Sequence, residues 1–209
     1  MSSTEQTTEQ AAEQHPVGTD LPQEHGALLP RLARQAIAHR LETGEPPPVA
    51  SSLPESLTRP GAAFVSLYRG EGLRGCMGTL APTRPLVESV VSTATDAAFN
   101  DPRFESVQQR SELDELTVTV SVLGEAELMA ADSERELLEQ LVPGEDGLIL
   151  QDGNRRATFL PAVWASLPDP QDFLAQLKLK AGLMPDHWSP DIQFARYRSV
   201  TFTDPPPAG

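Results

Sequence analysis

The residues of this sequence best suited to chemistry lie in the segment LRGCMG, residues 73–78, which contains the single cysteine of the chain. Alternate side chains of a strand point to the same side, so Arg74 and Cys76 are predicted to share one face. A guanidinium near a thiol favours the thiolate, which is the nucleophilic form of cysteine. Gly75 and Gly78 leave the backbone bare, so a ligand or a neighbouring strand can approach closely. The segment predicts nucleophilic or redox chemistry at Cys76, with Arg74 as its activator or as a clamp for an anion.

The same cysteine has a second, structural interpretation. Cysteine is among the most buried residue types, and a single Cys76 can simply fill space in a core. A reactive thiol requires a sulfur that a ligand can reach, whereas a structural thiol is sealed under aliphatic side chains. The residues around Cys76 leave both interpretations open.

A second polar cluster lies in FNDPRFES, residues 99–106. Asp101 precedes a proline, which disfavours helical backbone geometry at that position, and Arg103 follows two residues later. An aspartate and an arginine on a constrained loop can orient a substrate or bind an anion. The alternative is a loop held by its own Asp101–Arg103 pair, with Phe99 and Phe104 packed into the core, and the residues alone favour this alternative.

Motifs for metals and common cofactors are missing from the sequence. The four histidines have no i, i+4 spacing, and there is no second cysteine, so no metal site is expected. No G-x-G-x-x-G loop, P-loop or G-x-S-x-G turn occurs, so no cofactor is expected either.

The formal net charge of −14 disfavours broad binding to nucleic acids or to anionic membranes, because both need clustered basic residues. The chain stays acidic even without its acidic first 25 residues. It contains no run of about 18 apolar residues, and its start lacks the pattern of a secretory signal. A single cysteine excludes an internal disulfide. We therefore expect a cytoplasmic protein.

Periodicity of the apolar residues predicts helices interleaved with strands. Helices are predicted in segments 28–44, 83–100, 132–144 and 169–185, with Gly44 ending the first helix and Thr83 capping the second. Hairpins are predicted in segments 62–80 and 146–161, and single strands in segments 114–124 and 191–204. Residues 1–27 and 205–209 are predicted to be disordered tails, and 45–61 a loop. This alternation, mostly through hairpins and short links, indicates the α+β class.

A series of segments resembles the AMMECR-type domain family, which occurs in prokaryotes as protein A of the AmmeMemoRadiSam system. The segments are LRGCMGTL, AAFNDPRF, LDELTVTVSVL, DGLIL, RRATFLPAVW, LKAGL and ARYRS, in this order along residues 28–204. Asp-Pro-Arg-Phe follows the Leu-Arg-Gly-Cys segment by about 25 residues, and this combination is specific.

The resemblance implies a two-lobed α+β domain over residues 28–204. It implies a mostly antiparallel central sheet flanked by helices, a smaller lobe, and a cleft between the lobes. The hallmark segment of the family matches residues 73–78, but the family has no established activity. For an enzyme, we expect Cys76 and Arg74 as the catalytic groups, with Gly75, Gly78, Asp101 and Arg103 binding the ligand. Family members commonly have Ile at the position of Met77, and often a cysteine at the position of Lys178, so a mechanism with two cysteines is impossible here.

Two classes of function remain open at this stage. An enzyme would act on a small molecule in the cleft beside Cys76. A binding or adaptor module would use the same groove without making a bond, with a Memo-like dioxygenase-fold protein or a radical SAM protein as its partner. These partners are implied by the resemblance, and neither is fused to this chain, which has no Cys-x3-Cys-x2-Cys motif. A third possibility, an accessory of nucleic-acid modification, is disfavoured by the acidic charge.

Overall fold

The strands form two separate four-stranded antiparallel sheets in a computed structural model that describes residues 18–45, 47–48 and 52–207. The first sheet consists of β1 (Ala63–Arg69), β2 (Gly72–Gly78), β3 (Thr117–Leu123) and β8 (Ser199–Asp204), in the spatial order β2-β1-β3-β8. The second sheet consists of β4 (Glu127–Met129), β5 (Gly147–Asp152), β6 (Arg155–Phe159) and β7 (Gln193–Tyr197), in the order β4-β7-β5-β6. The helices are α1 (Gln23–Gly26), α2 (Leu29–Thr43), α3 (Glu55–Thr58), α4 (Leu86–Phe99), α5 (Arg110–Asp114), α6 (Glu134–Gln140) and α7 (Pro170–Lys180), and a 3-10 helix covers Pro161–Ala165.

The first sheet and helices α1 to α5 form what we call the first unit. Helices α2 and α4 bury apolar stripes at helical spacing, and alternate residues of β1 and β3 face them. The fully buried members of this core include Leu29, Ile37, Leu86, Val90, Ala94, Val65, Leu67, Val118, Val120 and Val122. The opposite face of the sheet carries the residues between these positions, among them Ser66 and Cys76.

Residues 125–197, with the second sheet, α6, α7 and the 3-10 helix, form what we call the second unit. It has its own core, in which the ring of Trp164 stacks on that of Phe173 at a centroid distance of 3.8 Å. The chain leaves the first sheet after β3 and returns to it at β8. The two crossing points are adjacent, because the amide nitrogen of Gly124 donates to the carbonyl of Arg198 at 2.8 Å. The second unit is therefore an insertion between two paired strands of the first.

A small apolar cluster joins the two units. Ala62 and Leu123 come from the first unit, Ile149 and Tyr197 from the second, and all four are buried. Phe64, Leu80, Leu160 and Ala195 pack around them. The cluster lies at the end of the first sheet where β1 begins and β3 ends.

Most predicted elements are confirmed, including the four helices, the two hairpins and the end of α2 at Gly44, which has a φ of 76°. The single strand predicted over 191–204 is wrong, since β7 and β8 belong to different sheets and Arg198 lies between them. The predicted central sheet is likewise two sheets. The cap predicted at Thr83 is wrong too, because α4 begins at Leu86 without a side-chain cap.

The expected N-terminal tail, residues 1–27, extends too far. Leu21 is buried, Gly26 packs against the ring of Phe202, and His25 hydrogen-bonds Ser56 at 2.9 Å, so residues 18–27 belong to the fold. Residues 1–17 lie outside the described part of the chain, as do 208–209 of the expected C-terminal tail.

The predicted loop 45–61 is partly helical, because α3 lies within it, and its residues 46 and 49–51 are outside the described ranges. None of the helices within the described ranges is both long and apolar enough to cross a membrane.

Candidate functional site

Cys76 lies on the outer strand of the first sheet, on the face away from the helices. Its register partner on β1 is Ser66, whose hydroxyl donates to the Cys76 sulfur at 3.2 Å. Cys76 is half-buried, so it is not sealed beneath the aliphatic core that lies on the other face. Because side chains alternate along β1 and Val65 and Leu67 lie in the core, Ser66 and the cysteine opposite it lie on the other face of the sheet, where Ser66 is buried as well.

The backbone of Cys76 is held by the loop that follows α4. The amide nitrogen of Cys76 donates to Oδ2 of Asp101 at 2.9 Å, and Nη2 of Arg103 donates to the carbonyl of Cys76 at 2.9 Å. These are the groups that a further strand would bind, since β2 is an edge strand. The Asp101–Arg103 pair therefore closes the sheet edge at the cysteine.

Asp101 and Arg103 also bind each other in a bidentate pair. Nε of Arg103 donates to Oδ1 at 2.9 Å and Nη2 donates to Oδ2 at 2.7 Å. These hydrogen bonds, helped by the Cys76 amide and opposed by burial, lower the pKa of Asp101 to about 2. The pair that was expected to hold its own loop is thus present, and it binds the cysteine strand as well.

Arg74 occupies a β-bulge in β2. Leu67 pairs with Gly75 and Tyr68 pairs with Leu73, which leaves Arg74 as the extra residue. Its Nε donates to Glu112 at 2.9 Å and its Nη1 donates to the carbonyl of Glu105 at 2.6 Å. These partners also line an open cavity of about 520 Å³ beside α5. The guanidinium that binds Cys76 is that of Arg103, whereas Arg74 is bound to Glu112.

The two glycines of the segment meet protein atoms. A Cβ on Gly75 would lie 2.2 Å from the carbonyl oxygen of Ala97 on α4. A Cβ on Gly78 would lie 2.3 Å from ring atoms of Phe64. Both distances are shorter than van der Waals separation, so neither position has room for a side chain. The group that approaches Gly75 is the backbone of helix α4, and the group that approaches Gly78 is the ring of Phe64.

The second unit contributes Lys180, at the end of α7. Its Nζ donates to the carbonyl of Thr158 at 2.9 Å and lies 5.1 Å from the ring centroid of Phe159. Desolvation lowers the pKa of Lys180, the charge of Arg103 lowers it further, and the charge of Cys76 opposes this. The charges of Cys76 and Arg103 thus influence the pKa of Lys180 although Lys180 belongs to the other unit.

Tyr197 lies near the same place, in the cluster that joins the units. Burial raises its pKa to about 12, and the charge of Cys76 acts in the same direction. Its hydroxyl contacts that of Thr158 at 2.9 Å and donates to the carbonyl of Phe159 at 3.1 Å. Tyr197 thus fixes the end of β6, where Lys180 is also bound.

Lys178 occupies the position at which family members often have a second cysteine, and it is buried within the second unit. Its side chain has no solvent exposure, and its Nζ lies 2.6 Å from Glu134 and 3.1 Å from the carbonyl of Pro185. The ammonium also lies 5.8 Å from the ring centroid of Trp188. The position therefore supplies an ion pair in the second unit.

The groups that bind Cys76 include the hydroxyl of Ser66, which donates to its sulfur, and the guanidinium of Arg103, which donates to its carbonyl. This arrangement can stabilise a thiolate or hold an anion beside the thiol. Across the described ranges no group of three histidine, cysteine, aspartate or glutamate side chains is arranged to hold a metal ion.

Sequence reasoning found Cys76, Asp101 and Arg103 but missed Ser66, Lys180 and Tyr197. Lys180 and Tyr197 lie in LKAGL and ARYRS, two of the segments that carry the family resemblance. Their presence in these family segments was the one sequence feature that could have identified them. The order of the segments along the chain, however, does not reveal which of them lie close together in the fold.

Comparisons with known proteins cover nearly the whole chain. The AMMECR1 family model matches residues 30–202. Protein MK0488 of Methanopyrus kandleri is 38% identical, over 92% of this chain and 95% of its own. A protein of Thermococcus gammatolerans is 40% identical, over 89% and 93%. The crystal structure of the uncharacterized protein PH0010 from Pyrococcus horikoshii superimposes with a TM-score of 0.85 and 36% identity, covering 90% of this chain and 96% of that chain. The likeness therefore extends over both units.

Proposed function

The chain belongs to the AMMECR1 family, and from this we propose that it binds a small molecule at Cys76, in a cleft between the two units. The thiol faces the ligand and acts as a nucleophile or proton-transfer group. Asp101 and Arg103 hold the cysteine strand in place from one side. The second unit closes the other side at Lys180.

One observation carries this proposal. The half-buried thiol of Cys76 accepts a hydrogen bond from Ser66, and the guanidinium of Arg103 donates to the carbonyl of the same residue. A cysteine that only filled space would need neither arrangement, because an apolar environment satisfies a buried thiol. Thiolate chemistry and anion binding both require positive charge of this kind.

We further propose that the protein works in the cytoplasm as the protein A component of an AmmeMemoRadiSam-type system. Its partners would be a Memo-like dioxygenase-fold protein and a radical SAM protein. The support is the resemblance of the motif segments, which extends over residues 28–204. Affinity purification from the native host, with both partners recovered by mass spectrometry, tests this assignment, and their absence would refute it.

Native-state alkylation tests the site itself. Because Cys76 is the only thiol, iodoacetamide labelling reports on it alone, and Cys76→Ser gives the blank. We expect labelling of the folded protein at neutral pH, and slower labelling in the presence of the small-molecule fraction of a native-host extract. Labelling that occurs only in denaturant would overturn the proposal and favour the adaptor function.

A further inference from the structure

We infer that a cavity at the junction of the two units binds a small organic cation, an ammonium or a guanidinium, and that Asp146 is the residue that binds its charge. The cavity has a volume of about 370 Å³, and residues of both units line it. Neither Cys76 nor the side chains of Ser66, Asp101 and Arg103 line this cavity. The inference therefore goes beyond the proposed function and describes a second site.

Asp146 has a buried carboxylate with one oxygen left free. The residue is 2% exposed, and its Oδ2 accepts a hydrogen bond from the amide of Val142 at 2.9 Å. Its Oδ1 accepts no hydrogen bond from the described residues, because Nε of Arg198, which pairs with it, lies 3.9 Å away and beyond hydrogen-bonding distance. Every buried side-chain oxygen in this part of the chain has a hydrogen-bond partner, so an oxygen without one must reach open space. For Asp146 that space is the cavity that it lines.

The basic side chains of the cavity wall are already matched by other carboxylates. Arg196 donates to Glu127 at 3.2 Å from Nε and at 3.1 Å from Nη2, and Nη2 of Arg198 lies 2.9 Å from Glu145. Glu125, which also lines the cavity, makes no ion pair within the described ranges. Together with the free carboxylate described above, four acidic groups surround two arginines, so the excess charge at the cavity is negative.

A cation that carries hydrogen-bond donors fits this wall. A carboxylate oxygen binds a positively charged donor more strongly than a neutral one. Tyr197 lines the cavity too, and its hydroxyl is bound to Thr158 and to the carbonyl of Phe159, so it offers an aromatic ring but no free donor. Aromatic rings attract ammonium and guanidinium groups. A metal ion needs several oxygen ligands, and the described residues contain no group of three suitable side chains.

The cavity lies where the chain crosses between the units. Gly124 and Glu125 belong to the outgoing segment, and Tyr197 and Arg198 belong to the returning one. The amide of Gly124 donates to the carbonyl of Arg198 at 2.8 Å, which joins the two segments. A bound cation contacts both segments, so the amide signals of Gly124 and Arg198 report its binding.

The experiment is an NMR titration of the full-length chain with n-butylammonium chloride and with n-butylguanidinium chloride. n-Butanol has the same alkyl chain without the charge, and sodium chloride controls for ionic strength. We expect saturable shifts of the Gly124 and Arg198 amide signals with at least one of the two organic cations, and none with n-butanol or sodium chloride. The cation that binds more tightly assigns the head group of the ligand.

Asp146→Asn tests the assigned residue. It keeps an oxygen that can accept from the amide of Val142 but removes the charge, so the affinity should fall at least about tenfold, as loss of a charged hydrogen bond implies. Glu125→Gln should lower the affinity about threefold, because this carboxylate is exposed. The matched control is Glu71→Gln, in the exposed turn between β1 and β2, which should bind like the parent.

Absence of saturable shifts with both cations, equal shifts with n-butanol, or an unchanged affinity in Asp146→Asn would overturn the inference. Thermal unfolding shows whether Asp146→Asn is folded. If it is not, an unchanged affinity in Glu125→Gln overturns the inference instead. Labelling of Cys76 is measured separately, so the proposed function does not depend on these results.

Discussion

The side chain of Asp101 binds the backbone of Cys76: the amide of Cys76 donates to the carboxylate of Asp101 at 2.9 Å. Arg103 completes the contact by donating to the Cys76 carbonyl. Together the two side chains present one acceptor and one donor to β2, as the backbone of a neighbouring strand would. The loop after α4 therefore fixes the position of the cysteine through the charged side chains of Asp101 and Arg103, and the free energy of unfolding should depend on those charges.

Stability should depend on the ionisation of Asp101. Its pKa is lowered from 3.8 to about 2 in the folded chain, so the ionised carboxylate stabilises the fold above its unfolded pKa. This contribution, about 2 kcal/mol, should be lost as the pH falls from about 5 to 2. In urea unfolding, Asp101→Asn should be less stable than the parent near neutral pH. Its free energy of unfolding should also fall less than that of the parent when the pH is lowered. The control Glu71→Gln, at an exposed turn, should follow the parent, and an Asp101→Asn variant with the parent's pH dependence would contradict the assignment.

Strand β2 should tolerate a side chain at Gly72 but not at Gly75. A Cβ at Gly75 would lie 2.2 Å from the backbone oxygen of Ala97, which cannot move without displacing α4. Gly75→Ala should cost at least about 2 kcal/mol of unfolding free energy. The nearest atom to a Cβ at Gly72 lies at 3.4 Å, so Gly72→Ala should change stability by less than about 0.5 kcal/mol. Equal stabilities of the two variants in denaturant titrations would show that the helix is not packed against the strand.

The ion pair between the buried Lys178 and the partly exposed Glu134 should behave as a coupled pair. Glu134→Gln leaves the fully buried ammonium of Lys178 without its carboxylate and should cost about 2 kcal/mol. The double variant Lys178→Met/Glu134→Gln contains no charge there and should recover most of this loss. A double-mutant cycle in urea measures the coupling energy, with Arg135→Gln as the exposed control. Additive effects would mean that the two charges do not stabilise each other.

Residues 18–27 should contribute to stability. A chain beginning at Gly18 keeps the buried Leu21 and the contact of Gly26 with Phe202, whereas a chain beginning at Leu28 loses both. The shorter chain should be less stable by roughly 2 kcal/mol or more, the value of burying one leucine side chain. Comparison of the two melting temperatures tests this, and indistinguishable values would restore the boundary first expected at residue 27.

The elements of the fold could be predicted from the sequence because their signals are local. Apolar residues at helical spacing define α2 and α4, and glycine turns define the two hairpins. The division of the last strand was not predictable in this way. Both β7 and β8 are extended, and the change of sheet at Arg198 is a tertiary event with no signal in the alternation.

The candidate site was predictable only where its residues are close along the chain or lie in one specific motif. The Asp101–Arg103 pair is local, and its formation follows from two residues on one loop. The influence of Cys76 on the pKa of Lys180 depends instead on how the inserted second unit packs against the first. The expected partner of the thiol, Arg74, was inferred from strict alternation, which the β-bulge at that residue interrupts.

The insertion of residues 125–197 also determines an order of assembly on the ribosome. Strands β1, β2 and β3 are made early, but the first sheet needs β8, which is synthesised after the whole second unit. Until then the outer edge of β3 has no partner, and an open strand edge can pair with other chains. The second unit can complete its sheet within its own stretch of chain, and doing so brings Arg198 back beside Gly124. The nascent protein is therefore open to misassembly at this edge from the synthesis of β3 until β8 appears, and Arg34, which binds Asp204 at 2.6 Å, then ties the final strand to α2.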